Sequence, residues 1–390
     1  MKIKTFIKLG DICDISAGQG APQGDSNYCD NGTPFVKAGN LIELLQGKNE
    51  TDIQKVSEDV AKKHKLKKYT AGSILFAKSG MSCMKGYVYQ LKNDSYVVSH
   101  LAIVKPIKDS SDYIEYCLRH IKPNSLVKDE AYPSISLQDI SNLKIPLPSL
   151  EEQIKISKQL YICTQIINKH KKQLERYDTL IKSRFIEMFG DNPIENGKWK
   201  VEKLKNICTV TSSKRIYAEE QSSDGVPFLR ISDLVAKISG NDTCALYIPE
   251  SKYQDFKLKG LVPKLGDILV TSRGTLGLCY IINPNDNFYF QDGMITWLSF
   301  ENHNEILSIF LSYVFNIILK AKIDMETNGA TVKYISISEM KQLKIPLPPL
   351  SLQTQFAAFV QQIDKSKFAV QKSLEKAETL YKSLMQEYFA

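Results

Sequence analysis

The stretch Lys144-Ile145-Pro146-Leu147-Pro148 returns unchanged as Lys344-Ile345-Pro346-Leu347-Pro348, a shift of 200 residues. From there the two copies align without a gap to Gly190 and Ala390. Matched positions include Leu150/Leu350, Gln153/Gln353, Leu174/Leu374, Glu175/Glu375, Thr179/Thr379 and Phe189/Phe389. Weaker echoes lie upstream. Ile12-Cys13 matches Ile207-Cys208, Pro34-Phe35-Val36-Lys37 matches Pro227-Phe228-Leu229-Arg230, and Gly72-Ser73-Ile74-Leu75 matches Gly266-Asp267-Ile268-Leu269. A repeat this long is a duplication of whole domains rather than a solenoid. The chain therefore divides into a variable domain 1–143, a tail 144–190, a second variable domain 191–343 and a second tail 344–390.

Each tail opens with prolines, which disfavour helix in the residue before them. Ser149-Leu150-Glu151-Glu152 then reads as a capping box, with Ser149 as N-cap and Glu152 three residues on. Apolar residues follow at alternating steps of four and three: Ile156, Leu160, Cys163, Ile167, Leu174, Tyr177 and Ile181, with polar breaks at His170 and Arg184. The second copy gives Phe356, Val360, Ile363, Leu374 and Tyr381, broken by Lys367. This is a heptad seam, and it predicts two helices of about 40 residues, roughly 60 Å each. The expected arrangement is an antiparallel intramolecular coiled coil that holds the two variable domains apart. Pairing with a second chain is the competing arrangement. Ile154, Ile162, Ile166 and Phe359 lie off the seam and would dock a partner or pack on the chain's own domains.

Composition sets the outer limits. The 390 residues are 43% hydrophobic and 24% charged, enough for two domains with real cores. The net charge of +8 suits a polyanionic partner without demanding one. No apolar run approaches the roughly 18 residues of a membrane span, and the first residues lack the core of a secretory signal, so a cytoplasmic protein without membrane association is expected. The eight cysteines form no Cys-x-x-Cys pair, which argues against zinc; they read as small buried apolar residues.

The variable domains mix short β-branched and aromatic runs (Tyr96 to Val98, Phe288 to Phe290) with helical segments (Asp112 to Leu118, Glu305 to Lys320). They read as two similar α+β domains. Glycine-rich polar loops follow the expected strands: Gly18 to Gly24, Lys78 to Gly86 and Thr271 to Gly277. Such loops let backbone approach a ligand, and their Lys, Arg, Ser and Thr donate to phosphates and base edges. Ordinary surface turns are the competing reading. Their recurrence at equivalent places in both copies favours a shared surface.

With the order variable–tail–variable–tail and the motif Pro-Leu-Pro-Ser-Leu-Glu-Glu-Gln at 146–153, copied at 346–353, the chain resembles the specificity subunit of Type I restriction-modification enzymes. The resemblance covers essentially the whole chain. It departs at Ser149, where the family usually has a second proline, and at Leu352, which replaces Glu. The resemblance implies two target-recognition domains reading a bipartite site in double-stranded DNA, with the helix pair setting the gap between half-sites. It also implies two adenine methyltransferase subunits that use S-adenosylmethionine, and restriction/translocase subunits that use ATP and Mg. This chain would carry no cofactor and no catalysis. A solitary or phage-borne DNA-binding protein of related architecture is the alternative.

Absence of catalytic motifs agrees with that expectation. Asp191-Asn192-Pro193-Ile194 lacks the second proline and aromatic of an adenine methyltransferase loop, and no Gly-x-x-x-x-Gly-Lys-Ser/Thr phosphate loop occurs. Candidate DNA contacts follow from loop position. Arg230 and Arg273 suit guanine, and Gln19, Asn40 and Gln291 suit adenine. Lys37, Lys78, Lys85, Lys214, Arg215 and Lys333 suit phosphates, with Ser79, Ser82, Ser272 and Thr275 as further loop donors.

Overall fold

The tails become two unbroken α-helices of 40 residues, Leu150–Phe189 and Leu350–Phe389, in a computed structural model that describes residues 5–241, 244–301, 303–325 and 334–390. Local chemistry sets where each begins. The Ser149 hydroxyl accepts the Glu152 N–H at 3.3 Å, the expected N-cap. In the second copy the Pro349 carbonyl accepts the Leu352 N–H at 3.0 Å instead.

Contacts divide the chain into two compact units, residues 1–172 with 371–390 and residues 173–370. The division cuts through both long helices rather than falling at their ends. In the first unit, Lys171 pairs with Glu378 at 3.0 Å and Tyr388 donates to Gln159 at 2.7 Å. In the second, Lys367 pairs with Asp178 at 2.6 Å and the rings of Phe185 and Phe356 meet at 5.4 Å. Residue numbers rise along one helix as they fall along its partner, so the tails pair antiparallel within the chain.

None of the seam positions is exposed: Leu160, Ile181, Phe356, Val360, Ile363 and Leu374 are buried, and Ile156, Ile167 and Tyr381 are half-buried. The polar breaks sit at the edge of the seam. Lys367 makes the ion pair above, Arg184 pairs with Glu187 at 2.8 Å, and His170 leaves Nδ1 buried without a hydrogen-bond partner. Towards the helix ends the buried stripe widens to include Gln153 and Ser157, Phe185 and Phe189, and in the second helix Gln353 and Ala357, Met385 and Phe389. There each helix packs on a domain as well as on its partner helix, which an a/d pattern alone does not anticipate.

The two units repeat one topology. The first has a four-stranded antiparallel sheet, in order Cys13–Ala17, Leu101–Pro106, Ile74–Ala77, Val88–Gln90. The second has Thr209–Thr211, Ile295–Ser299, Ile268–Thr271, Cys279–Ile281 in the same order. The central strands are covered on both faces, so Ile74-Leu75-Phe76 and Ile268-Leu269-Val270 are continuous apolar runs without alternation. A three-stranded sheet accompanies each. Thr33–Val36 runs parallel to Tyr96–Val97 and antiparallel to Lys55–Val56, and Val226–Leu229 stands likewise between Tyr289–Phe290 and Tyr247–Ile248. A two-stranded ribbon ties each domain to its tail: Phe6–Lys8 with Lys144–Pro146, and Lys200–Lys203 with Lys344–Leu347. The expected helices are present as Ser111–Ile121 and Ser308–Met325.

One residue of the tail motif joins helix to domain in both units. Gln153 is buried, donates to Asp109 and the Pro148 carbonyl, and accepts the Ser110 N–H at 3.0 Å. Gln353 is buried, donates to the Glu305 and Pro348 carbonyls, and accepts the Leu307 N–H at 2.8 Å. Rings from the other helix complete the packing, Phe389 on Tyr113 at 5.4 Å in the first unit and Phe189 on Phe310 at 4.8 Å in the second.

The cysteine expectation needs one correction. Cys13, Cys83, Cys117, Cys163 and Cys208 are buried and Cys244 and Cys279 half-buried, but Cys29 is exposed at an isolated bridge to Lys55, its thiol donating to the Asn31 carbonyl at 3.0 Å. Burial pushes the Cys13 and Cys208 thiols up to about 12. Among the described residues no helix is long and apolar enough to cross a membrane.

Candidate nucleic-acid interface

In the second unit, strands Val226–Leu229 and Tyr289–Phe290 are parallel, so their C-terminal ends emerge side by side. Arg230 follows the first and Gln291-Asp292 the second, held together by the Gln291 N–H to the Leu229 carbonyl at 2.9 Å. Arg273 follows the third strand end, Ile268–Thr271, and Arg215 lies in the segment after Thr209–Thr211. These residues line one open cavity of about 470 Å³. Arg215, Arg230 and Arg273 are the only arginines between 191 and 343, and all three meet there.

The three guanidinium groups are held differently. Arg215 Nε donates to Asp292 at 2.9 Å, a pairing that raises an already high pKa. Arg230 Nε reaches Asp233 at 3.3 Å, sharing an oxygen that also caps the helix Ile231–Ile238 through the Arg230 N–H. Arg273 stands on an exposed turn whose next residue, Gly274, has φ +72°. A left-handed turn of this kind is cheap only for glycine, and Gly80 makes the same turn in the first unit at φ +74°.

Not every candidate faces outward. Ser272 is buried, its hydroxyl 2.6 Å from that of Thr296, so it braces the loop from inside the domain. Thr275 is exposed, and its carbonyl accepts the Thr271 hydroxyl. Lys214 is exposed, with its backbone N–H fixed to the Tyr289 hydroxyl at 2.8 Å. Lys333 lies outside the described residues.

The first unit presents the same strand ends with different side chains. Lys37 occupies the place of Arg230; its ammonium reaches Gln54 at 2.6 Å and lies 4.5 Å from the Tyr28 ring centre. Asn40 is turned back to accept the Lys37 N–H at 2.9 Å. Ser79 occupies the place of Arg273, with its hydroxyl 2.8 Å from His100 Nδ1. Lys78 is half-buried, and its backbone bonds to His100 and Ile135. Ser82 is half-buried and Lys85 exposed on the same loop. Gln19 spends its amide locally, donating to the Lys65 carbonyl at 2.7 Å and accepting the Lys67 N–H. It therefore anchors a neighbouring segment instead of projecting from the surface.

That segment is what sequence reading missed. Residues 62–68 hold five lysines, all exposed, and Lys67 and Lys68 lie near the rings of Tyr69 and Tyr96. The run was visible as Lys62-Lys63-His64-Lys65-Leu66-Lys67-Lys68; its link to Gln19 was not. Asp292, the brace of Arg215, carried no sequence signal at all.

A second surface lies on the first tail. Leu150, Ile154, Tyr161, Ile162 and Ile166 are exposed, and 150, 154, 162 and 166 lie on one row of the helix at multiples of four. The equivalent positions 354, 361, 362 and 366 hold Thr, Gln, Gln and Ser. Phe359 is not exposed; it is half-buried against the second unit's core, with Arg184 5.9 Å above its ring. Among the described residues no group of three or more His, Cys, Asp and Glu is placed to hold a metal.

Comparison with known proteins gives concordant results. The family model described as Type I restriction modification DNA specificity domain matches residues 1–176 and 196–378. The Type I restriction enzyme MjaIX specificity subunit of Methanocaldococcus jannaschii is 23% identical over 386 residues, covering 91% of this chain and 85% of that protein. The MjaVIII specificity subunit of the same organism is 24% identical over 333 residues, covering 81% and 75%. Among solved structures, the Type-I restriction-modification system S subunit from M. genitalium aligns over 100% of this chain and 97% of its own, with TM-score 0.63 and 16% identity. A chain from a structure describing complex assembly and conformational transition of the type I R-M system aligns over 98% and 97%, with TM-score 0.55 and 15% identity.

Proposed function

The chain belongs to the Type I restriction modification DNA specificity family and carries two copies of its domain, and from that premise we propose that it selects the DNA target for a modification and restriction complex, one half-site per variable domain. The observation that carries this reading is the repeated scaffold with unrepeated side chains. At matching strand ends one unit offers Arg230, Arg273 and Gln291, and the other Lys37 and Ser79, with Val98 buried at the place of Gln291. One rigid frame with two sets of donors and acceptors suits reading two different short sequences.

Lysines neutralise phosphates and set register, with the 62–68 run the main such element of the first unit. Side chains at the strand ends then meet base edges, mostly in the major groove, where each base pair shows a distinct donor and acceptor pattern. The paired tails fix the unspecified gap between half-sites. Two adenine methyltransferase subunits bring S-adenosylmethionine and methylate adenine N6 on an extruded base. Restriction/translocase subunits bring ATP and Mg. This chain contributes recognition and docking, not catalysis. The exposed row from Leu150 to Ile166 supports docking of a methyltransferase subunit, since a soluble chain otherwise gains nothing by exposing it.

Reconstitution tests the reading. The chain, a cognate Type I adenine methyltransferase subunit, and the two together are incubated with S-adenosylmethionine and DNA. Only the mixture should methylate, and at a defined motif. Methylation by the chain alone would overturn the non-catalytic role. A chain that binds specific DNA but no methyltransferase would point to a solitary DNA-binding protein.

A further inference from the structure

Arginine is distributed unequally between two domains of the same topology. Residues 1–143 contain one, Arg119, which is spent on Glu115 at 2.7 Å within the helix Ser111–Ile121. Residues 191–343 contain three, and all line the cavity described above.

Of the three, Arg215 is the best pre-organised. Its backbone segment is stitched to the loop after strand Tyr289–Phe290. Ser212 donates to the Ile295 carbonyl at 3.2 Å and accepts the Gly293 N–H at 3.2 Å, and the Lys214 N–H is held by Tyr289. Ile216, on the other side, is buried. The side chain itself remains exposed while Asp292 holds its Nε. With Asp292 holding Nε and the Tyr217 side chain also close enough to interact, the plane of the guanidinium is set by the protein, and its terminal nitrogens supply the fork that matches O6 and N7 of guanine. A phosphate contact needs no such brace. Arg273, by contrast, has no side-chain hydrogen bond or ion pair among the described residues, and Arg230 is held by a longer contact to a carboxylate already used as a helix cap.

Building on the proposed DNA-reading role, we infer that the second unit reads a guanine through Arg215, with Asp292 as its positioning residue, and that the first unit reads its half-site without arginine. The two half-sites are thus recognised by different chemistry. This assigns Arg215 to a base, where its sequence position alone suggested a phosphate. Losing a bidentate contact should raise tolerance at one base pair by about 5- to 150-fold, from roughly 1–3 kcal/mol of discrimination.

The test maps methylated adenines genome-wide for the full complex carrying the wild-type chain, Arg215→Gln, Asp292→Ala or Asp292→Asn. For the wild type, a split motif with a G·C pair in one half is expected. Arg215→Gln should relax that one position and leave all others, including the whole of the other half-site, unchanged. Asp292→Ala should relax the same position less completely. Asp292→Asn, which can still accept from Nε, should restore part of it. Relaxation at a single shared position is a result a merely structural role of Asp292 would not give, and methylation at the unaffected half-site shows that each variant is folded. Variants that keep wild-type stringency, or that lower methylation equally at every position as a phosphate contact would, overturn the assignment. A wild-type half-site lacking any G·C pair also overturns it. If the wild-type complex yields no split motif, the proposed function itself fails, and that outcome is separate from these.

Discussion

Gln353 offers the sharpest test of how a tail is fastened to its domain. Its amide is fully buried and makes three hydrogen bonds, to the Leu307 N–H and to the carbonyls of Glu305 and Pro348. Gln353→Leu keeps similar volume but strands all three groups against an alkyl chain. An unpaired buried N–H costs about 1–3 kcal/mol, and a carbonyl with a second lone pair somewhat less. After the gain from a more apolar side chain, a net loss of about 2–4 kcal/mol is expected. Both tryptophans, Trp199 and Trp297, lie in the same unit, so urea unfolding followed by their emission reports on it directly. Gln361→Leu, at an exposed position of the same helix, serves as control and should stay within about 0.5 kcal/mol of wild type. If Gln353→Leu unfolds at the same urea concentration as that control, the clamp is not a source of stability and the argument is wrong.

Other expectations can be checked with the same protein. Phe389→Ala should cost about 3–5 kcal/mol by circular dichroism melts, because the ring fills a buried contact on Tyr113. Ser149→Ala should cost about 1 kcal/mol through loss of the N-cap. With a thiol reagent at pH 7.5, peptide mass mapping should find Cys29 labelled first, and Cys13 and Cys208 protected by burial and by thiols held near 12. Ile154→Asp with Ile162→Asp should weaken co-purification with the methyltransferase far more than Thr354→Asp with Gln362→Asp; equal effects would remove the exposed row as a docking surface.

The tails were legible because a heptad seam and an exact repeat are strong one-dimensional signals. Leu160, Val360 and Ile363 stand where spacing puts them, and helix lengths agree with the pattern. The stripe's widening at Phe185, Phe189 and Phe389 was not legible, because it depends on which domain surface each helix end meets. In the domains, the duplication showed which segments correspond, and the strands expected before the glycine-rich loops, Ser73 to Phe76 and Asp267 to Val270, are present as Ile74–Ala77 and Ile268–Thr271. The site was only half legible. Loop position singled out Arg230, Arg273 and Gln291, which line one cavity; Arg230 and Gln291 meet because their strands are parallel neighbours whose ends open on the same side. It could not show that Ser272 turns inward to Thr296, that Gln19 ties down Lys65 and Lys67, or that Asp292 holds Arg215. Those facts are tertiary: each joins residues tens of positions apart.

The most direct measurement is the wild-type methylation map itself, taken from cells that express this chain with a cognate Type I adenine methyltransferase subunit and no other modification enzyme. Two short half-sites separated by a fixed number of unspecified bases would agree with two domains reading two sequences at a distance set by paired helices. A continuous motif, or methylation without sequence preference from a folded complex, would contradict it.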